Sequence, residues 1–124
     1  MNILHGIDII EISRIREAIE DNNLFKKRVF TEKEIEYCEG RKLKFQSFAA
    51  RFAAKESFLK AIGTGLTENI SLIDIEILNN SKGAPYILLH NHAKELFEKN
   101  KFANISISIS HSDNYAIASV IIVT

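Results

Sequence analysis

The chain has 124 residues, the size of one domain, with 46% hydrophobic and 26% charged residues, an ordinary globular balance. Lysine plus arginine equals aspartate plus glutamate at 16 each, so no whole-molecule field draws the protein to nucleic acid. Cys38 is the only cysteine, which excludes an intrachain disulfide.

The first element is a near-continuous apolar run, Ile3 to Ile10, which reads as a strand buried on both faces. It is too short to span a membrane and has no basic leader, so the chain is expected to be cytoplasmic. Ser13 is placed to cap a helix carrying Ile15, Ala18 and Ile19, with Asp21, Asn22 and Asn23 as its stop. Thr31 and Glu34 have the spacing of a capping box, opening a short helix that Gly40 closes. A long helix follows from Phe45 to Ile62 and ends at Gly63, Thr64 and Gly65.

The second half is strand-rich. Ser71 to Leu78 alternates Ile73, Ile75 and Ile77 against Asp74 and Glu76; residues 79–83 form a turn, and Pro85 to Leu89 is the returning strand. Ala93 to Lys99 reads as a short helix with Leu96 and Phe97 inward. Ile105, Ile107 and Ile109 then alternate with Ser106, Ser108 and Ser110. Ser112 to Asn114 turn the chain into a last strand, Tyr115 to Val123. Because helices and strands do not alternate regularly, the expected class is α+β, a mainly antiparallel sheet packed with a long central helix in a single domain, residues 1–124.

Three features stand out against this pattern. Glu56 interrupts the apolar stripe of Phe45, Phe48, Phe52 and Leu59 on the long helix, and a carboxylate there needs a cationic or hydrogen-bonding partner. Lys60, one turn on, can supply it locally, which is the reading without function. Asp8 breaks the apolar first strand, either as its end and the cap of the next helix, or as a ligand. One carboxylate on a strand and another on a helix suit Mg²⁺, which takes one or two carboxylates and leaves its other positions to water and phosphate. Gly63, Thr64 and Gly65 read first as a helix C-cap; such a loop also lets backbone N–H groups approach a phosphate, with Lys60 nearby. The basic clusters Lys26, Lys27, Arg28 and Arg41, Lys42, Lys44 are either solvated faces or a patch for an acidic partner or phosphate.

Taken together, Gly6-Ile7-Asp8, Phe30-Thr31-Glu32-Lys33-Glu34, Arg51-Phe52-Ala53-Ala54-Lys55-Glu56-Ser57, Lys60-Ala61, Gly63-Thr64-Gly65, Gly83-Ala84-Pro85-Tyr86 and Ser108-Ile109-Ser110-His111 resemble the holo-(acyl carrier protein) synthase family of short phosphopantetheinyl transferases. The resemblance runs collinearly over nearly the whole chain. It implies the 4′-phosphopantetheinyl transferase fold, a homotrimer with active sites between subunits, and Mg²⁺-dependent transfer of phosphopantetheine from coenzyme A to a serine of apo acyl carrier protein, for fatty acid biosynthesis. It implies that Asp8 and Glu56 hold the metal and that Lys60, Gly63, Thr64 and Gly65 lie near the pyrophosphate. Glu56 is then the candidate base for the serine. Lys42 and Lys44 are candidates for the 3′-phosphate, and Arg14 with nearby basic residues for carrier docking. Neither nucleic acid nor a membrane is an expected partner. Some relatives carry a histidine where this chain has Ser106, so a phosphate contact from that position does not transfer. The rival reading is a non-catalytic α+β module that binds a nucleotide or a protein.

Overall fold

A computed structural model of the chain describes residues 1–63 and 70–124. Its elements run β1 (Ile3–Glu11), α1 (Ile12–Asp21), α2 (Asn23–Val29), α3 (Glu32–Glu39), α4 (Lys44–Ile62), a 3₁₀ turn (Leu72–Asp74), β2 (Ile75–Asn79), β3 (Pro85–Leu89), α5 (Asn91–Lys99), β4 (Asn104–His111) and β5 (Tyr115–Val123). One sheet has the order β1-β5-β4 and the other is the β2-β3 hairpin; every pairing is antiparallel. The α+β expectation therefore holds.

The centre of the fold is α4. Phe48, Ala49, Ala53, Ala54, Ser57 and Phe58 are fully enclosed, so this helix is buried around most of its circumference rather than along one stripe. Its small residues explain how the sheet reaches it. Ala53, Ser57 and Ala61 recur every fourth position and form a shallow row. The Ser57 hydroxyl fills the remaining gap, 2.7 Å from the Ala53 carbonyl and 2.9 Å from that of Ala118 on β5.

Several sequence expectations are corrected. Ser13 does not cap α1: the helix begins at Ile12 after Glu11, with no side-chain cap bond, its first N–H being taken by the Asn114 carbonyl. Asn22 stops α1, but its side chain also accepts from the Leu24 N–H and opens α2, which the sequence reading did not separate. The run from Ser71 begins as a 3₁₀ turn, and the strand proper starts at Ile75. Within the single chain β1 is not buried on both faces. Leu4, Gly6, Asp8 and Ile10 turn inward while Ile3, Ile7 and Ile9 stay exposed, the last two at 53% and 60%. The odd positions are as apolar as the even ones, so composition hid the two-residue period.

The Thr31–Glu34 capping box forms as expected, with both reciprocal bonds present. Glu34 does more than cap. It is fully buried, accepts from Lys55 Nζ at 2.8 Å and from the Ile77 N–H at 3.0 Å. Lys55 Nζ also donates to the carbonyls of Leu72 and Ile75, using all three of its protons. Burial pulls the Lys55 ammonium below its ordinary pKa while the Glu34 charge holds it up. This unit ties α3, α4 and β2 together, and it assigns Lys55 to the fold although Lys55 adjoins Glu56.

Candidate functional site

Gly6 presents no side chain towards α4, so β1 lies directly on the helix at Ser57 and Ala61. The next inward residue on the strand is Asp8, and it therefore arrives beside the last two turns of α4. There Lys60 Nζ donates to Asp8 Oδ1 at 2.9 Å and to the Ile7 carbonyl at 3.1 Å. The Asp8 side chain is only 16% exposed, that of Lys60 54%. Glu56 sits one turn before Lys60 on the same helix face and is half-buried. Burial pushes its carboxyl above the ordinary carboxylate range, the nearby Asp8 charge pushes it further, and Lys60 opposes both.

The Lys60–Asp8 contact joins residues 52 positions apart in the chain. It also sets aside the purely local readings given above. Lys60 crosses to the strand, and no Glu56–Lys60 ion pair forms. Asp8 neither ends β1, which runs on to Glu11, nor caps α1. Gly63 adopts a left-handed C-cap at φ +76°, which only glycine reaches without strain. Thr64 and Gly65 lie outside the described residues.

Among the described residues no group of three or more His, Cys, Asp or Glu side chains is arranged to hold a metal. Asp8, which holds the Lys60 ammonium, and the half-buried Glu56 are a different donor set. Oxygen-only, half-open and short of ligands, the pair fits Mg²⁺, which completes its shell with water and phosphate.

A second basic region lies elsewhere on α4. Arg51 is 5% exposed, donates from Nη2 to Asn79 Oδ1 at 2.6 Å and stacks 4.2 Å from the Tyr37 ring centroid. Its Nε has no hydrogen-bond partner, and no carboxylate pairs with it among the described residues. A buried guanidinium without a counter-charge is costly and suits an incoming anion. Arg51 lines a cavity of about 580 Å³ together with Arg41, Lys42, Gly83, Pro85 and His111. Asn79 Nδ2 fixes one rim by donating to the Gly83 carbonyl, and Asn80 Oδ1 accepts from the N–H groups of Lys82 and Ala84.

Of the two lysines expected at a phosphate, Lys42 lines this cavity, whereas Lys44 pairs with Glu39 at 3.4 Å, which Lys26 also reaches at 3.2 Å. In the sequence Arg51 stands out only as the first residue of the Arg51-to-Ser57 motif. Its one signal was a cation whose immediate neighbours on the helix are alanine and phenylalanine. The acid pair and this cavity share no lining residue. Arg51 and Glu56 are five positions apart, about 140° around α4, so they open on different faces. Arg14, on α1, is exposed and forms no ion pair among the described residues.

Comparison with known proteins decides the family. A sequence model of the 4′-phosphopantetheinyl transferase superfamily matches residues 5–120. The chain belongs to that superfamily. Among transferases of this superfamily, a holo-[acyl-carrier-protein] synthase of Ruminiclostridium cellulolyticum is 51% identical over 124 residues, covering 98% of this chain and 92% of that one. Among solved structures, the Helicobacter pylori holo-[acyl-carrier-protein] synthase in complex with coenzyme A aligns with a TM-score of 0.84 at 34% identity, over 96% of this chain and 99% of that one. The Bacillus anthracis holo-(acyl-carrier-protein) synthase in complex with CoA (3′,5′-ADP) aligns with a TM-score of 0.79 at 35% identity, over 96% and 94%. The resemblance read from the motifs is thus established for this transferase, as is its α+β fold.

Proposed function

We propose that this chain transfers the 4′-phosphopantetheine group of coenzyme A to a serine hydroxyl of an apo acyl carrier protein. The serine Oγ forms a bond to the β-phosphorus, the bond from that phosphorus to the bridging oxygen breaks, and adenosine 3′,5′-bisphosphate leaves. The observation that carries this reading is the convergence of Asp8, Glu56 and Lys60, set in a chain whose relatives are holo-acyl-carrier-protein synthases.

Asp8 and Glu56 would hold Mg²⁺, which when bound supplies positive charge to phosphate oxygens. The Lys60 ammonium adds charge on the same side, where it grows on the leaving diphosphate oxygen. Glu56 is the candidate base for the serine proton, acting through an intervening water. Lys42 and Arg51 are the groups to meet the 3′-phosphate, with Lys44 drawn in from Glu39. Arg14 is offered to the acidic surface of the carrier.

The acid pair and the Arg51 cavity face different ways, so one coenzyme A reaching both would span two copies of the chain. The outer sheet face supports such an assembly. Ile3, Ile7, Ile9, Tyr115 and Ile121 stand exposed on it, a patch of the kind that subunit contacts cover. A homotrimer with sites between subunits, a place in fatty acid biosynthesis and a cytoplasmic location belong to the same proposal. For the last, the support is a lone, buried cysteine, as reducing compartments favour, and no described helix is long and apolar enough to cross a membrane.

Incubation with coenzyme A, Mg²⁺ and an apo carrier protein, read by mass spectrometry of the carrier, tests the reading. One phosphopantetheine mass should appear and be lost with chelator, and D8N or E56Q should reduce the rate by a hundredfold or more. Binding of coenzyme A without any gain of mass on the carrier would instead support a non-catalytic module.

A further inference from the structure

Lys60 is engaged in a way its expected role does not require. Its Nζ sits on two oxygens of β1, Asp8 Oδ1 and the Ile7 carbonyl, rather than standing free to receive a phosphate. Glu56, one turn earlier, has no cation within ion-pair reach among the described residues. One of the two acids is thus already neutralised and the other is not. Mg²⁺ binds carboxylate oxygens at about 2.0–2.1 Å. An ion on Asp8 at that distance would share one carboxylate with the ammonium group held on Oδ1. The two cations cannot share Asp8 without strong repulsion. Lys60 can leave. Its side chain is more than half exposed, has four rotatable bonds and springs from the last turn of α4.

We infer that Lys60 is a placeholder cation, occupying Asp8 when no divalent ion is present and surrendering it as the ion arrives. This deepens the function proposed above and rests on Asp8 and Glu56 being the metal ligands. The ammonium released from Asp8 is then free to turn to the diphosphate that accompanies the ion. Metal and substrate binding are coupled through one side chain: free protein holds the ion weakly because Lys60 competes for its ligand, and the diphosphate strengthens binding by giving Lys60 another anion to meet. Lys60 therefore opposes metal binding in the free protein while aiding transfer in the complex.

Mn²⁺ is a suitable probe, with the unbound ion counted by electron paramagnetic resonance in the absence of coenzyme A. K60M and K60Q should each bind Mn²⁺ about fivefold more tightly than wild type, the scale set by losing one exposed ion pair. The double variant D8N/K60M should lose the gain. Circular dichroism of each variant checks that the fold is retained, and the two single replacements guard against one that packs badly. Unchanged or weaker Mn²⁺ binding in both K60M and K60Q overturns the placeholder. Binding by D8N/K60M as tight as by K60M puts the ion somewhere other than Asp8, and the metal assignment falls with the placeholder.

Discussion

Gly6 on β1 and Ser57 on α4 are in direct backbone contact: a Cβ built on Gly6 would overlap the Ser57 carbonyl oxygen and stand 2.6 Å from the Ala61 nitrogen. Helix and strand can approach this closely only without a side chain between them, and the approach brings Asp8 within 2.9 Å of Lys60. The glycine here serves proximity, not a positive φ.

G6A should therefore push β1 off α4. Overpacking of this kind costs about 1–3 kcal/mol, and the backbone atoms it meets cannot rotate aside. The urea midpoint should drop accordingly. Transfer should fall further than the stability loss explains, because Asp8 moves with the strand while Glu56 stays on the helix. A variant as stable and as active as wild type would refute the close contact.

Arg51 carries the next expectation. With no carboxylate partner among the described residues and its buried Nε without a hydrogen-bond partner, its guanidinium is reserved for an anion. R51M keeps the stem and removes the charge. The KM for coenzyme A should rise about tenfold or more, the scale of a charged hydrogen bond. A substrate lacking the 3′-phosphate should show no such difference between wild type and variant. An equal rise for both substrates would place the anion elsewhere.

Arg14 offers an exposed charge that no described residue neutralises. R14E should raise the KM for the carrier protein by roughly tenfold, more at low than at high salt, and leave that for coenzyme A alone. Equal effects on both KM values would remove the docking role.

Glu76 ties stability to pH. Burial raises its carboxyl, but hydrogen bonds from Thr31 and His90 outweigh that and hold it below the ordinary value of 4.5. A lowered folded-state pKa means that the unfolded chain takes up a proton first on acidification. The stabilisation is therefore present above about pH 4.5 and is lost as pH falls through the lowered value. Denaturation midpoints followed from about pH 5 to about pH 3 should decline more steeply for wild type than for E76Q.

Much of this architecture could be read from local pattern. Thr31 and Glu34 announced their helix because a capping box is a contact between residues three apart. Gly63 closed α4 for the same reason. What escaped depended on contacts distant in sequence. Glu34 was legible as a cap but not as the partner of Lys55, since nothing local says that α3 and α4 cross there. Lys60 had two carboxylates to choose from, and only the seating of β1 on α4 gives it Asp8 rather than Glu56. The exposed face of β1 was hidden because Ile3, Ile7 and Ile9 match their inward neighbours in hydropathy. The residue types at the acid pair were visible in the sequence, while their meeting was a property of Gly6.

The two faces of α4 have a consequence for how such an enzyme is governed. If the ligand of one copy's acid pair is completed by Arg51 of another, a solitary chain is inert however well it folds. Dilution below the assembly's dissociation constant would then silence the catalyst without damaging any of its residues. The abundance of the chain in the cell would set both the number of sites and whether each site is whole.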